Sequence, residues 1–205
     1  MAKTKAIRTG VRDLYVAKAT TTTTDSGVSV TYGTPKVFGG TATVSLSLET
    51  GDNKVYESDV LIHNGNRVSG ATIGYESRSV DLASELEVLH GITTAGTGGY
   101  EDGPDDIGGE WAVGWADKLA DGTYKCQWYY YCTGHKGDES HETATESTTT
   151  PTDRFDFDAV PNPATGKLRR RKICASEAEM TAFFAAVLPT ASTGDASTGD
   201  ASTGD

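Results

Sequence analysis

The chain of 205 residues holds no apolar run long enough to cross a bilayer as a helix. Its opening, MAKTKAIRTG, lacks the apolar core of a signal peptide, so synthesis in a cytosol without membrane insertion is the expectation. Cysteine is scarce. Cys126 and Cys132 lie six apart on one predicted strand, too distant to bridge each other in extended chain, and Cys174 has no partner motif. All three read as small buried hydrophobes. Basic residues are outnumbered, 18 against 29 acidic, and the resulting charge of −11 counts against tight sequence-independent binding to nucleic acid, which needs a dense basic face.

Catalytic signatures are missing too. There is no HExxH zinc pattern, no GxxxxGK phosphate loop, no GxGxxG dinucleotide turn and no GxSxG elbow. Glu85 and Glu87 sit two apart on a predicted helix, so they diverge and cannot serve one substrate as acid and base. His135 and His141, with Asp138 or Glu142, have the residue types of a metal site, but exposed histidines in a polar loop explain them equally well. The reading is a protein that is not an enzyme and takes no cofactor and no metal.

What is present is β structure. Residues 111–136, WAVGWADKLADGTYKCQWYYYCTGHK, carry seven aromatics and read as one long hairpin, turning at Ala120, Asp121 and Gly122, with Gly122 free to take a positive φ. Trp111, Val113 and Trp115 share one side of the first strand; Tyr124, Cys126, Trp128, Tyr130 and Cys132 share one side of the second. Tyr129 and Tyr131 point the other way. They fit either packing within one sheet or a subunit interface, where tyrosine is favoured.

Further strands are predicted over residues 13–19, 28–32, 36–38 and 41–48, the last with Ala42, Val44, Leu46 and Leu48 on one half-buried face. Thr20 to Gly27 reads as a loop. Residues 54–63 and 68–80 read as strands joined by a turn at Asn64, Gly65 and Asn66. A helix follows over residues 81–90, capped by Asp81, stopped by Gly91 and burying Leu82, Leu86 and Leu89. Residues 91–110 form an exposed acidic loop with Glu101, Asp102, Asp105, Asp106 and Glu110; their spacing lacks the ligand order of a calcium loop. Residues 137–163 are a long polar excursion with an extended patch at residues 154–157, a candidate contact arm or plain disorder.

In residues 167–174, KLRRRKIC, Arg169 and Arg171 face one way and Arg170 and Lys172 the other, with salt bridges to acidic groups the preferred reading. Ser176 and Glu179 form a capping box before Met180, Phe183, Phe184, Val187 and Leu188, a helical stripe running to Pro189. The ending is ASTGD three times, too polar for a core. One domain is expected over residues 1–189, with 190–205 a low-complexity tail.

The order and spacing of GVRDLYVA, TVSLSLETGDNKVYESD, YESRSVDLASELEVLHG, the aromatic hairpin, the acidic ETATES segment and the late basic strand resembles the major tail protein family of long-tailed, non-contractile bacteriophages. The likeness spans most of the chain, although the Phe-rich helix and the ASTGD repeats depart from the family pattern. It implies a mainly β, sandwich or barrel-like tail tube fold with a short flanking helix and a C-terminal helix. It further implies homo-oligomeric, hexameric rings stacked into a tube, contacting the tape-measure, tail terminator and distal tail proteins, assembled in the host cytoplasm and housed in the virion tail. Genomic DNA would pass through the lumen unbound, an acidic wall favouring sliding. On this reading Lys3, Lys5, Arg8 and Arg12 of the basic arm, Glu101, Asp102, Asp105 and Asp106 of the acidic loop, and Tyr129 and Tyr131 are assembly contacts. The alternative is a carbohydrate-binding or adhesive β-sandwich with Trp111, Trp115 and Trp128 as a sugar-stacking platform.

Overall fold

The central hairpin forms where its alternation predicts and carries aromatic side chains on both faces. A computed structural model describes residues 7–57, 60–137 and 152–189, the side chains of 52–66 excepted. The elements are β1 (Arg8–Val11), β2 (Leu14–Thr24), β3 (Gly27–Tyr32), β4 (Lys36–Glu57), β5 (Val60–Val80), α1 (Leu82–His90), β6 (Glu110–Leu119), β7 (Tyr124–Lys136), β8 (Asp153–Ala159), β9 (Arg169–Cys174) and α2 (Glu177–Phe184). The fold is mainly β, all pairings between these strands being antiparallel.

β6 pairs with β7 along nearly its whole length, and the path β6-β2-β4-β5-β8-β7 returns to β6, closing six strands into a barrel. Closure leaves those paired stretches no open edge. The interior is filled by Leu14, Val16, Phe38, Ile73, Tyr75, Trp111, Val113, Trp115, Tyr129, Phe155 and Phe157. Trp115 and Tyr129 stack with centroids 5.6 Å apart, and Phe38 meets Phe155 edge-on at 5.3 Å. At one end α1 inserts Val88 and Leu89 into this core. Asp81 accepts from the Ser84 N–H at its start, and Gly91 ends it with φ 70°. Leu82 is 57% exposed, so the buried stripe of α1 is Leu86, Val88 and Leu89 instead.

Outside the barrel, β6 presents Ala112, Gly114 and Ala116. A Cβ on Gly114 would lie 2.6 Å from the Trp128 ring, so the absence of a side chain there lets the indole lie flat on the strand. Trp128, Tyr124, Cys126 and Tyr130 then form a second core with Met180, Phe183, Phe184 and Val187 of the α2 region. Phe184 stacks on Tyr15 at 4.4 Å, and the Trp128 indole N–H donates to the Phe183 carbonyl, which the helix end leaves unpaired. The capping box forms: Ser176 accepts from the Glu179 N–H, while Glu179 reaches back to the Ala175 N–H. The helix stops at Phe184 rather than at Pro189, and Leu188 is exposed.

Several expectations are corrected. Thr20–Thr24 is strand, not loop: its β-branched residues continue β2 into a ribbon with β3, turning at Asp25 and Ser26. Asn64, Gly65 and Asn66 make no turn, because they pair opposite Lys54, Asn53 and Asp52 inside the β4–β5 ribbon. The second half of the presumed excursion is β8, a barrel strand with Phe155, Phe157 and Ala159 buried. Alternation along β7 also breaks. Trp111 pairs with Cys132 but Val113 with Tyr129, so one extra residue bulges at Tyr130–Tyr131 and turns Cys132 into the barrel. All three cysteines are free and buried. Lys3, Lys5, His141, ETATES and residues 190–205 lie outside the described residues.

Docking of α2 rests on its aromatic contacts, so Phe184→Ala should cost about 3–5 kcal/mol of unfolding free energy. Leu188→Ala should stay within about 0.5 kcal/mol of wild type. Urea unfolding of the full chain checks both, and equal effects would contradict the second core.

Candidate functional site

Two features stand outside the closed barrel: a ribbon and a charged groove. Past the rung Leu48–Ala71, where β8 stops, β4 and β5 pair only with each other out to Glu57–Val60. At about 3.3 Å per residue this ribbon runs roughly 30 Å, with no described strand on either edge. The inward series of β4 leads up to its base. Val44 packs against the barrel core, whereas Leu46 is 38% and Leu48 39% exposed, and Val68, opposite Thr50, is 37% exposed. An apolar strip thus leaves the core and faces solvent.

The groove lies at the barrel end away from α1. The inward positions of β6 run Trp111, Val113, Trp115 and then Asp117; those of β7 run Tyr129, Gln127 and then Lys125. Of these, Trp115, Asp117, Gln127 and Lys125 line a cleft of about 220 Å³ together with Arg169 and Arg171 of β9, Arg8 of β1, and Val44 and Leu46. Arg8 Nε lies 3.3 Å from the buried Asp117 carboxylate. Arg169 donates to the Tyr129 hydroxyl at 2.7 Å and covers its ring. Burial, and then the nearby charge of Arg8, push the Lys125 ammonium below its ordinary value.

The salt bridges expected of the basic strand are not found among the described residues. Among the described residues Arg169, Arg170, Arg171 and Lys172 form no ion pair; Arg170 instead lies 4.6 Å over the Phe183 ring and donates to the Val187 carbonyl. The split of charge holds, since Arg169 and Arg171 line the groove while Arg170 packs on the α2 side. Lys125 and Asp117 were legible only as a change in the inward series from aromatic to charged, which marks an open barrel mouth.

The other candidate residues fall elsewhere. Tyr129 is fully buried, so it packs inside one subunit and offers no surface to another. Tyr131 is half-buried and shares a hydrogen bond with the Thr21 hydroxyl at 3.0 Å. Arg12 ties the N-terminal arm to α2 through Glu177 at 3.3 Å and lies 5.7 Å over the Tyr124 ring. Glu101, Asp102, Asp105 and Asp106 are all exposed, in the segment between α1 and β6. Glu85 and Glu87 diverge to Lys136 and Lys36. His135 lies 3.9 Å from Asp158, and among the described residues no three of His, Cys, Asp and Glu gather as metal ligands. Trp111, Trp115 and Trp128 are at most 2% exposed, which removes the sugar-stacking platform. No helix of the described residues is long and apolar enough to cross a membrane.

Comparison with known proteins adds no identity: no protein-family model matches the chain, and no curated protein matches it.

Burial raises the Tyr15, Tyr75, Tyr129 and Tyr130 phenols and pushes Tyr32 up to about 12. A raised phenol favours the neutral folded form, so this stability is complete below about pH 10, the unfolded tyrosine value, and is lost as pH climbs towards the folded values. Alkaline titration should show a late phase of phenolate absorbance that coincides with loss of the strand circular dichroism signal. A single phase completed near the ordinary tyrosine value, with strand signal intact, would contradict the buried cores.

Proposed function

We propose that this chain is a structural subunit that assembles with copies of itself, and that it forms the tail tube of a non-contractile bacteriophage tail. The observation that carries the reading is the β4–β5 ribbon. Two strands alone are marginally stable in water, and this pair carries Val68 on the ribbon and Leu46 and Leu48 at its base, all more than a third exposed. A neighbouring subunit laid against the ribbon would cover that strip and pair its edges. The order of segments shared with the tail protein family supports the finer assignment, as does the closed barrel, whose aromatic interior leaves the outer strands and loops for contact.

In this role the chain performs no covalent chemistry. Its partners are itself, in stacked rings, and the tape-measure, terminator and distal tail proteins; the genome passes through the lumen without specific contacts. Assembly takes place in the host cytoplasm and the product resides in the virion tail.

Removing residues 137–163 would delete β8 and unfold the barrel, so the apolar strip at the base of the ribbon is the better target. Purified full-length protein viewed by negative-stain electron microscopy should show rings or tubes. The variant Leu46→Glu with Leu48→Glu should remain folded, its stability within about 1 kcal/mol of wild type because both side chains are partly solvated, and should sediment as a monomer. Wild-type protein that stays monomeric at high concentration would sink the proposal.

A further inference from the structure

The cationic groove and the acidic loop occupy opposite ends of the barrel. Asp106, Ile107 and Gly108 lie beside Leu89 and His90 of α1 and the last residues of β7. The groove surrounds the other ends of β6 and β7, at Asp117 and Lys125. From Glu110 to Asp117 the strand alone covers roughly 24 Å. The groove holds four cations, Arg8, Lys125, Arg169 and Arg171, against one carboxylate, Asp117, which Arg8 already engages. The loop EDGPDDI holds four carboxylates and no basic residue.

The loop is also shaped. The Gly103 N–H donates to the Asp106 carboxylate at 2.8 Å, and the Asp106 N–H returns to the Gly103 carbonyl at 3.1 Å, a tight turn around Pro104. Glu101, Asp102 and Asp105 remain exposed on it, and Ile107 beside them is 80% exposed. The groove matches this mixture, with cations on the β7 and β9 side and Leu46 and Val44 on the β4 side.

We infer that the loop at residues 101–107 of one copy docks in the Lys125–Arg169–Arg171 groove of the next, joining subunits head to tail along the barrel axis. The inference rests on the self-assembly reading and gives it a polarity. Unlike surfaces at opposite ends make a heterologous contact, which repeats without limit unless rotation closes it. Opposite charge steers the encounter and sets the register, while Ile107 seated against Leu46 removes apolar surface from water.

The test uses two variants of the full chain. One carries Lys125→Glu and Arg171→Glu and so has an acidic groove; the other carries Glu101→Lys, Asp102→Lys and Asp105→Lys and so has a basic loop, three lysines against Asp106. Arg169 and Asp106 are left alone because each holds local structure. Circular dichroism verifies that both are folded, and sedimentation with electron microscopy reads assembly. Each variant alone should need at least about tenfold more protein than wild type to form tubes, since like charges then meet. Mixed in equal amounts they should co-assemble, because every loop finds an oppositely charged groove.

Assembly of either variant alone at the wild-type concentration, or failure of the mixture while wild type assembles, overturns the docking and leaves the self-assembly reading standing. Wild-type protein that never associates removes both. Should a variant be misfolded, the salt dependence of wild-type assembly decides: raising salt from about 0.05 to about 0.5 M should slow it roughly tenfold, and a rate indifferent to salt overturns the docking.

Discussion

Everything in this fold depends on the β6–β7 hairpin having two apolar faces. One face turns Trp111, Val113, Trp115 and Tyr129 into the barrel, and the other turns Trp128 and Tyr130 out beneath α2. A strand pair buried on both sides must be covered twice, and the chain does so with different devices: sheet closure within, and a short helix without. Ala112, Gly114 and Ala116 make the second possible, because only a smooth strand surface lets an indole lie close enough for α2 to reach Tyr15. Large residues inward and small residues outward on one strand are therefore a single design, and a bulky side chain at Gly114 would damage both layers.

Much of this was legible in the residues. Period-two alternation located the hairpin, Gly122 its turn with φ 83°, and Asp81, Gly91 and Ser176 the helix ends, since each acts through nearby chain. Where pairing partners are distant, local reading failed. The Thr20–Thr24 run looks like a loop until β3 folds back on it, and Asn64-Gly65-Asn66 carries turn chemistry that the long β4 partner overrides. β8 was visible only as an extended patch, because nothing nearby reveals that its Phe155 and Phe157 meet Phe38, more than a hundred residues earlier. The bulge at Tyr130–Tyr131 is of the same kind: it exists to satisfy register against β6, which β7 alone does not encode.

For the candidate site, the acidic loop and the basic strand were both readable, but not their relation. The basic run at residues 167–172 read as salt-bridged to acidic groups, and the acidic run at residues 101–106 as an exposed loop. The barrel places them at opposite ends, so a single copy cannot bring them together. Among the described residues the one carboxylate lining the groove, Asp117, is engaged by Arg8. Arg171 is left lining a cleft with Lys125, whose ammonium is disfavoured by burial and then by the charge of Arg8. On the proposed reading a second molecule supplies carboxylates to this cleft.

The same asymmetry explains how edges are managed. Closing β6-β2-β4-β5-β8-β7 protects the centre of the sheet but leaves the β4–β5 ribbon, β1, β3 and β9 each with an unpaired side among the described strands. Apolar strands with open edges invite indiscriminate pairing unless charge or geometry restricts the partner. Here the apolar strip at the base of the ribbon borders the cationic groove, since Leu46 belongs to both. A partner must then present apolar surface and carboxylates together in fixed order, which the loop ending at Ile107 does and a generic hydrophobic strand does not. Affinity would come from the strip and discrimination from the groove, so that one surface is both adhesive and selective.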